Sequence, residues 1–303
     1  MASDPQANYD FYAGLLGLRL VKRTINYDDP GTYHLYYGDR LGRPGTILTF
    51  FPWPGAARGR VGAGQQTATA LSVPPGALPF WQARLTAGSV PVETGETRFG
   101  SPVLAFADPD GLPLELVTEA GDDPRPGWPD GPMPAEYAIR GVGSVTLTSA
   151  RGDVSGAFLS DLLGFAQVAE DGARVRYALG GGLPGQRVDV VHASDAPVGI
   201  PGAGTVHHMA YATPDDDHQE LWLAAVRGAD VAVSPVRDRQ YFHSIYFHEP
   251  GRVLFEIATE PPGFATDEDA AHLGERLCLP VWLEARRAQI EAHLPPLQTR
   301  SPL

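Results

Sequence analysis

Two short segments late in the chain have the apolar pattern of buried strands, yet each carries polar groups that a buried strand disfavours. They are Val-His-His-Met-Ala-Tyr at 206–211 and Leu-Phe-Glu-Ile-Ala at 254–258. A carboxylate buried in the second segment is costly unless a positive or hydrogen-bonding partner meets it. Strand alternation places His208 on the same side of its strand as Ala210, and places Glu256 on the same side as Leu254 and Ala258. The pattern predicts a metal ion shared by His208 and Glu256, which are two of the three ligands of a 2-His-1-carboxylate site.

The same strand pattern occurs twice along the chain. Gly-Ala-Gly at 62–64 precedes the strand-like stretch 67–74, and Gly-Ala-Gly at 202–204 precedes 207–214. The two copies are 140 residues apart, and further along the spacing becomes 141 residues. The residues paired at that spacing are Trp81 with Trp222, Pro109 with Pro250, and Glu115 with Glu256. Self-similarity at a fixed spacing indicates a repeated structural unit.

A second repeat, with a spacing of 147 residues, relates 11–18 to 158–165. Together the repeats predict an α+β fold of four βαβββ modules, paired in two tandem domains. The predicted divisions are an N-terminal domain at 1–120, a linker at 121–138, a C-terminal domain at 139–262 that carries the metal-site residues, and a helical tail at 263–303.

Module one lacks a first strand in this arrangement. With the spacing of 147 residues, the strand at 145–148 in module three corresponds to positions −2 to 1. All of these positions except the last precede Met1. We therefore expect Met1 to correspond to an internal methionine of a longer product, because an open position beside a buried strand is a liability.

Composition narrows the cellular setting. The chain has 303 residues, a net charge of −13 and a pI near 5.0, which argue against nucleic-acid and anionic-membrane partners. Cys278 is the one cysteine, so an intrachain disulfide and a cysteine metal cluster are excluded and a cytoplasmic location is expected. There is no apolar run of the ~20 residues that a membrane span needs. Nucleotide-binding, phosphate-loop and Gly-Xaa-Ser-Xaa-Gly motifs are absent from the sequence.

Several ordered segments resemble the vicinal oxygen chelate superfamily, which includes glyoxalases, bleomycin-resistance proteins and extradiol dioxygenases. More narrowly, they resemble ring-cleaving dioxygenases that act on hydroquinones. The resemblance covers nearly the whole chain. The segments are Asp-Phe-Tyr-Ala-Gly-Leu-Leu-Gly-Leu-Arg-Leu-Val-Lys at 10–22, Asp-Pro-Gly-Thr-Tyr-His-Leu-Tyr-Tyr-Gly-Asp at 29–39, Phe-Phe-Pro-Trp-Pro-Gly at 50–55, Val-His-His-Met-Ala at 206–210, Tyr-Phe-His-Ser-Ile-Tyr-Phe at 241–247, Leu-Phe-Glu-Ile-Ala-Thr at 254–259 and Leu-Pro-Val-Trp-Leu-Glu at 279–284.

This resemblance implies an Fe(II) ion, with Mn(II) as the other option, held by His208, Glu256 and a second histidine from the missing first strand. It also implies that His207 is an acid–base group, that Arg239 contacts an anionic substrate or oxygen intermediate, and that Tyr246 donates a hydrogen bond at the site. The implied reaction is cleavage of a small aromatic diol, a hydroquinone or catechol-like compound, by O2. A homo-oligomer remains possible.

Other interpretations stay open at this point. Glu115 occupies the place of Glu256 in the earlier repeat without a histidine pair, so it is predicted to be structural, and a structural role is open for Glu256 too. Alternation places His207 on the opposite strand face from His208, and Tyr246 has an alternative role as a packing residue. The alternative functions are a glyoxalase-like metal isomerase or thiol transferase, and a non-catalytic protein that binds an aromatic compound.

Overall fold

The computed structural model describes residues 1–118 and 123–299. The start of the predicted linker and the last four residues of the tail lie outside the described residues. The elements of module one are α1 Pro5–Tyr9, a π-helix Asp10–Leu15, β1 Arg19–Asn26, β2 Asp29–Gly38 and β3 Leu48–Phe50. Asp4 begins α1, because its side chain accepts a hydrogen bond from the amide of Ala7, and Pro5 provides a φ angle suited to the first helical position.

The next two modules each have four strands and one helix. Those of module two are β4 Gln65–Ser72, α2 Leu78–Ala87, β5 Thr97–Arg98, β6 Ser101–Ala107 and β7 Pro113–Val117. Those of module three are β8 Gly141–Ser149, α3 Gly152–Asp161, β9 Ala166–Asp171, β10 Arg174–Ala178 and β11 Arg187–His192.

Module four and the tail complete the described chain. The elements of module four are β12 Met209–Thr213, α4 Asp216–Gly228, β13 Arg237–Asp238, β14 His243–His248 and β15 Leu254–Thr259. Those of the tail are two 3₁₀ helices, Phe264–Thr266 and Val281–Arg286, and α5 Arg287–His293. Asp215 caps α4 through a side-chain bond from the His218 amide, with Asp216 in the first turn and Arg227 in the last.

The predicted α+β fold of βαβββ modules is confirmed. In modules two, three and four the first strand pairs in parallel with the last: β4 with β7, β8 with β11, and β12 with β15. In module one, the described residues include no strand before α1, but Ala2 makes a parallel bridge to Pro52, just after β3. Ala2 therefore has the position that the end of a first strand has in the other modules.

Modules two and three share one sheet. Strands β4 and β8 pair antiparallel from Gln65↔Thr148 to Ser72↔Gly141, which joins the two modules into an eight-stranded sheet of order β5-β6-β7-β4-β8-β11-β10-β9. The sheets of modules one and four stay separate, with orders β1-β2-β3 and β12-β15-β14-β13. Side chains connect these two smaller sheets: the Tyr36 and Phe242 rings are 6.3 Å apart.

The apolar residues form two main cores. One combines modules one and two with the tail residues Leu279, Leu283 and Ile290, and the other combines modules three and four. These cores agree with the two halves of the repeat, although the eight-stranded sheet runs through both. The exact domain and linker boundaries stay a prediction. No helix of the described residues has the length and apolarity needed to cross a membrane.

The connectors before β4 and β12 pack closely against each other. Ala63 pairs with Val198, Arg60 pairs with Ile200, and a Cβ atom on Gly62 would lie 2.3 Å from the carbonyl oxygen of Pro197. Glycine is therefore required at position 62 by the close approach of the two backbones. This contact fixes the segment that leads into module four, where the two predicted site histidines lie, against the segment that leads into module two.

Candidate active site

Strand register brings Glu256 and Tyr246 side by side. Tyr246 of β14 and Ala210 of β12 both lie opposite Glu256 of β15. The face shared by these residues points away from the core of modules three and four, because the alternate residues Phe255 and Ile257 are the ones in that core. Sheet geometry thus places the carboxylate on the side that faces module one.

Glu256 is buried and fully occupied by donors. Its Oε2 lies 2.7 Å from His208 Nε2, and its Oε1 accepts hydrogen bonds from Tyr246 Oη at 2.8 Å and from Ser244 Oγ. Burial by itself raises the pKa of the Glu256 carboxyl, but His208, Ser244 and Tyr246 together bring that pKa below its usual range. The group is therefore held as a carboxylate, the form that binds a metal.

The two histidines differ from the prediction in one respect. Both precede β12, which begins at Met209, so strand alternation does not separate their side chains. Their rings instead meet, with His207 Nδ1 and His208 Nδ1 2.8 Å apart. The placement of His207 on the opposite strand face was wrong for this reason. Loss of hydration, followed by the charges of His208 and of the N-terminal ammonium, lowers the pKa of His207 to about 4.

The proton positions of this pair follow from its partners. A hydrogen bond from His208 Nε2 to the carboxylate needs a proton on Nε2, so in the neutral ring His208 Nδ1 is an acceptor. His207 Nδ1 then donates to it, and His207 Nε2 carries a lone pair. For a neutral His208, the hydrogen bond to Glu256 thus assigns the tautomers of both rings.

Tyr246 and Arg239 continue the same chain of contacts. Arg239 Nε donates to Tyr246 Oη at 3.2 Å, its guanidinium lies 5.4 Å from the Tyr246 ring centroid, and its Nη1 is 3.1 Å from Asp28 of module one. Burial, and then the charge of Glu256, raise the pKa of Tyr246 above its usual range, so the phenol keeps its proton. All five predicted site residues, His207, His208, Tyr246, Arg239 and Glu256, thus lie in one connected group.

Module two provides an internal comparison. Glu115 lies opposite Ala105 in β6 and Ala70 in β4, as Glu256 lies opposite Tyr246 and Ala210. Here Arg98 reaches the carboxylate directly, with Arg98 Nη2 2.5 Å from Glu115 Oε1. This ion pair is the arrangement expected of a structural carboxylate, and the role of Glu115 stays a prediction. In module four a tyrosine takes the place of Ala105 and separates the arginine from the glutamate.

Module one supplies the opposite side of the cleft. The residues on this side are His34, Tyr36, Thr49 and Phe51. His34 is hydrogen-bonded to Thr49 Oγ1 and to Tyr36 Oη, the latter at 2.9 Å. The Phe51 ring lies 6.4 Å from the His207 ring. Burial, with the nearby charges of His208 and Arg239, holds the pKa of His34 well below its usual range. His34 is not among the residues predicted for the site, although its alternation with Tyr36 on one strand face was a usable signal.

The donors fit a metal ion in part. An imidazole nitrogen and a carboxylate oxygen suit Fe(II) or Mn(II), and the His208 and Glu256 ligand atoms are already within 2.7 Å. Within residues 1–118 and 123–299, no third His, Cys, Asp or Glu side chain forms a compact ligand group with them. The described residues that do form such a group, Asp267, Glu268 and Cys278, surround the ammonium of Lys22. Of the three ligands expected, the described residues thus bring two candidates together, His208 and Glu256.

Paired βαβββ modules define a glyoxalase-type fold, and in this chain a histidine and a glutamate, His208 and Glu256, lie together on it. The chain belongs to the Glyoxalase/Bleomycin resistance protein/Dioxygenase superfamily, whose profile matches residues 1–116 and 141–262. Members of this superfamily typically bind a metal ion.

Relatives match over almost the whole chain. MhqO of Bacillus subtilis (strain 168), whose name assigns it to the ring-cleaving dioxygenases, is 47% identical over 298 residues, covering 98% of this chain and 94% of that protein. The chlorohydroquinone/hydroquinone 1,2-dioxygenase of Sphingobium indicum is 36% identical over 291 residues, covering 94% and 90%.

Solved structures agree with the fold. A crystal structure of a Bacillus subtilis protein described as a dioxygenase superposes with a TM-score of 0.94 at 46% identity, covering 99% of this chain and 96% of that one. Glyoxalase I of Zea mays shares the fold alone, with a TM-score of 0.62 at 13% identity, covering 86% and 89%.

Proposed function

We propose that this protein is a metal-dependent ring-cleaving dioxygenase that uses Fe(II) to cleave a hydroquinone-type aromatic diol with O2. The observation that carries the proposal is the connected group His207–His208–Glu256–Tyr246–Arg239, which module two lacks although it keeps the carboxylate and the arginine. The relatives named as ring-cleaving and hydroquinone dioxygenases support the reaction class.

His208 Nε2 and Glu256 would hold the metal, which in such an enzyme binds the ionised diol and O2 and lets electrons pass between them. With Nε2 bound to the metal, the ring proton of His208 would lie on Nδ1, and the hydrogen bond between the two rings would reverse, so that His208 Nδ1 donates to His207 Nδ1. His207 then presents an N–H at Nε2. The histidine pair thus orients the ligand and provides a proton at the cleft.

Tyr246 and Arg239 have complementary roles in this proposal. Tyr246 keeps its phenolic proton and passes a hydrogen bond to Glu256, which fixes the carboxylate oxygen opposite His208. Arg239 contributes a permanent positive charge beside that phenol. A fixed cation next to the cleft favours a substrate with an ionised hydroxyl and stabilises negative charge that forms during the reaction.

Module one would enclose the ring of the substrate. Phe51, Tyr36 and Thr49 all contact His34, and the Phe51 ring lies 6.4 Å from the His207 ring. A flat apolar surface with a few polar groups suits an aromatic diol. We propose that this wall excludes water from the ring during cleavage.

A matched pair of substitutions tests the proposal. Glu256→Gln removes the carboxylate from the site, whereas Glu115→Gln removes the equivalent carboxylate of module two. We expect Glu256→Gln to lower oxygen uptake with methylhydroquinone, after anaerobic Fe(II) loading, by at least about 100-fold. Glu115→Gln should keep the activity, and iron content measured after desalting should fall only in Glu256→Gln.

Other outcomes would redirect the assignment. Full turnover in Glu256→Gln or His208→Ala would overturn it. Selective activity with Zn(II) or Ni(II) without oxygen consumption would favour a glyoxalase-like isomerase or thiol transferase. Tight binding of an aromatic diol without metal, unchanged in Glu256→Gln, would favour a non-catalytic binding protein. Running the same assay on a chain extended by one strand at its N-terminus tests the expected third ligand.

A further inference from the structure

The turn that carries Arg239 has an unfavourable backbone. It joins β13 to β14, and Gln240, directly after Arg239, has a φ of +66°, in the left-handed region that side-chain-bearing residues disfavour. Such a conformation persists only when surrounding contacts hold it. Local contacts help, because the Gln240 amide donates to Asp238 Oδ1 at 2.7 Å and the Tyr241 amide donates to the Arg239 carbonyl at 2.8 Å.

A carboxylate of the C-terminal tail holds the same turn from outside. Asp267 Oδ2 accepts hydrogen bonds from Gln240 Nε2 at 3.1 Å and from Tyr241 Oη at 2.9 Å. Both residues after Arg239 are therefore bonded to one oxygen of one side chain. Because Asp267 lies 28 residues beyond Arg239 in the sequence, this contact ties the site to the tail.

The other oxygen of Asp267 is fixed by a buried lysine. Lys22 of β1 is fully buried, and its Nζ lies 2.6 Å from Asp267 Oδ1 and 2.5 Å from Glu268 Oε2. The same ammonium lies 4.7 Å from the centroid of the Tyr241 ring. A fully desolvated ammonium between two carboxylates has little freedom to move, because any displacement leaves a buried charge unpaired. Lys22 therefore gives Asp267 a fixed place relative to module one.

We propose that Asp267 is a positioning residue for Arg239: it connects the buried Lys22 of module one to the turn that aims the guanidinium at Tyr246. The proposal rests on the proposed function, since it assigns Asp267 a role through Arg239. Arg239 also contacts Asp28 of module one. The turn that carries Arg239 is thus connected to module one through Asp267 and Lys22, and the Arg239 side chain contacts module one directly at Asp28.

Glu268 offers a matched control. It pairs with the same Lys22 ammonium but makes its other hydrogen bonds to amides of the tail, at Gly274 and Arg276, and none of them to the turn after Arg239. Glu268→Gln therefore weakens the same ion pair without touching the turn. Asp267→Asn is different, because a single amide cannot offer acceptors to Lys22 on one side and to Gln240 and Tyr241 on the other.

The experiment compares the metal-loaded Asp267→Asn, Glu268→Gln, Arg239→Lys and Asp267→Asn/Arg239→Lys proteins. We expect Asp267→Asn to lower kcat with methylhydroquinone about tenfold while the iron content stays unchanged, and Glu268→Gln to stay within about twofold of the parent. The double variant should be no slower than Arg239→Lys alone, because both changes act on one group. Tyr241→Phe, which removes one of the two bonds to Asp267 Oδ2, should give a smaller loss of kcat.

The contrary results are distinct. Equal effects of Asp267→Asn and Glu268→Gln, or additive effects of Asp267→Asn and Arg239→Lys, would overturn the positioning role. If Arg239→Lys itself leaves kcat unchanged while Glu256→Gln abolishes turnover, the role of Arg239 fails and the positioning role fails with it, although the dioxygenase assignment stands. If Asp267→Asn does not fold, an unchanged kcat in Tyr241→Phe overturns the proposal.

Discussion

At the scale of single residues, the histidine pair is one difference between the candidate active site and its copy in module two, and the residue opposite the glutamate is another. In module two the small side chain of Ala105 lets Arg98 bind Glu115 directly, while in module four Tyr246 lies between Arg239 and Glu256. An arginine bonded directly to a ligand carboxylate would compete with a metal for it. The tyrosine replaces that charge by a neutral donor and keeps the arginine hydrogen-bonded to its phenol oxygen.

Removing the Tyr246 hydroxyl should therefore affect the reaction more than the fold. We expect Tyr246→Phe to lower kcat about 100-fold, because the variant loses the bonds to both Glu256 and Arg239 while the ring keeps its place in the sheet. The measurement is steady-state oxygen uptake after Fe(II) loading. Tyr211→Phe is the control: its buried hydroxyl has no hydrogen-bond partner among the described residues, and it lies against the core of modules three and four. A kcat in Tyr246→Phe equal to that of Tyr211→Phe would contradict the assigned role.

The residues themselves were largely predictable, but their surroundings were not. Glu256 and His208 could be found because a buried strand rarely carries such groups without a partner. His34 was missed, because its role depends on the β2 face of module one lying opposite module four. Nothing in the local pattern of a strand says which other sheet it faces.

At the scale of elements, alternation predicted the strands well and failed at one strand end. Pairing of β12 with β15 begins at Met209, so strand alternation does not set the side-chain directions of His207 and His208. The contact between their rings brings the two side chains together instead. Element ends are set by tertiary contacts as much as by pattern. The loop after β2 shows the same principle, because a single buried carboxylate organises it.

Asp39 holds that loop and should make its stability depend on pH. Its Oδ1 accepts hydrogen bonds from three successive amides, at Leu41, Gly42 and Arg43, and its Oδ2 is 2.6 Å from Arg43 Nε. Burial raises the pKa of Asp39, and these donors lower it by a larger amount. The folded-state pKa of Asp39 therefore lies below the usual value. The resulting stability is present above the unfolded-state pKa and is lost as pH falls through the folded-state pKa.

We expect Asp39→Asn to have a shallower loss of unfolding free energy than the parent between about pH 5 and pH 2, since the amide does not titrate. Urea unfolding at a series of pH values measures this slope. Asp10→Asn, which alters an exposed carboxylate hydrogen-bonded to Gln6, is the control and should retain the slope of the parent. An unchanged slope in Asp39→Asn would show that other groups govern this pH range.

At the scale of the whole molecule, the repeats predicted which segments are alike but not which of them meet. The predicted domain division placed His208 and Glu256 in the C-terminal half, and only the family resemblance drew a further ligand from module one. In the structure module one lies against module four at the candidate site, with modules two and three joined in one sheet. Similar modules offer similar edges and faces, so internal repetition alone does not select among the pairings.

This arrangement makes a prediction about independence of the halves. A chain containing only 139–299 would expose the edge of β8, which pairs with β4 along its length, and would lose the wall that faces Glu256. An exposed long edge favours association between chains, so we expect this half alone to self-associate.

We expect the complete protein to unfold in one calorimetric transition, because the eight-stranded sheet connects both cores. Two well-separated transitions, or a monomeric half that retains iron, would show instead that the halves are autonomous and that the shared sheet contributes little to cooperativity.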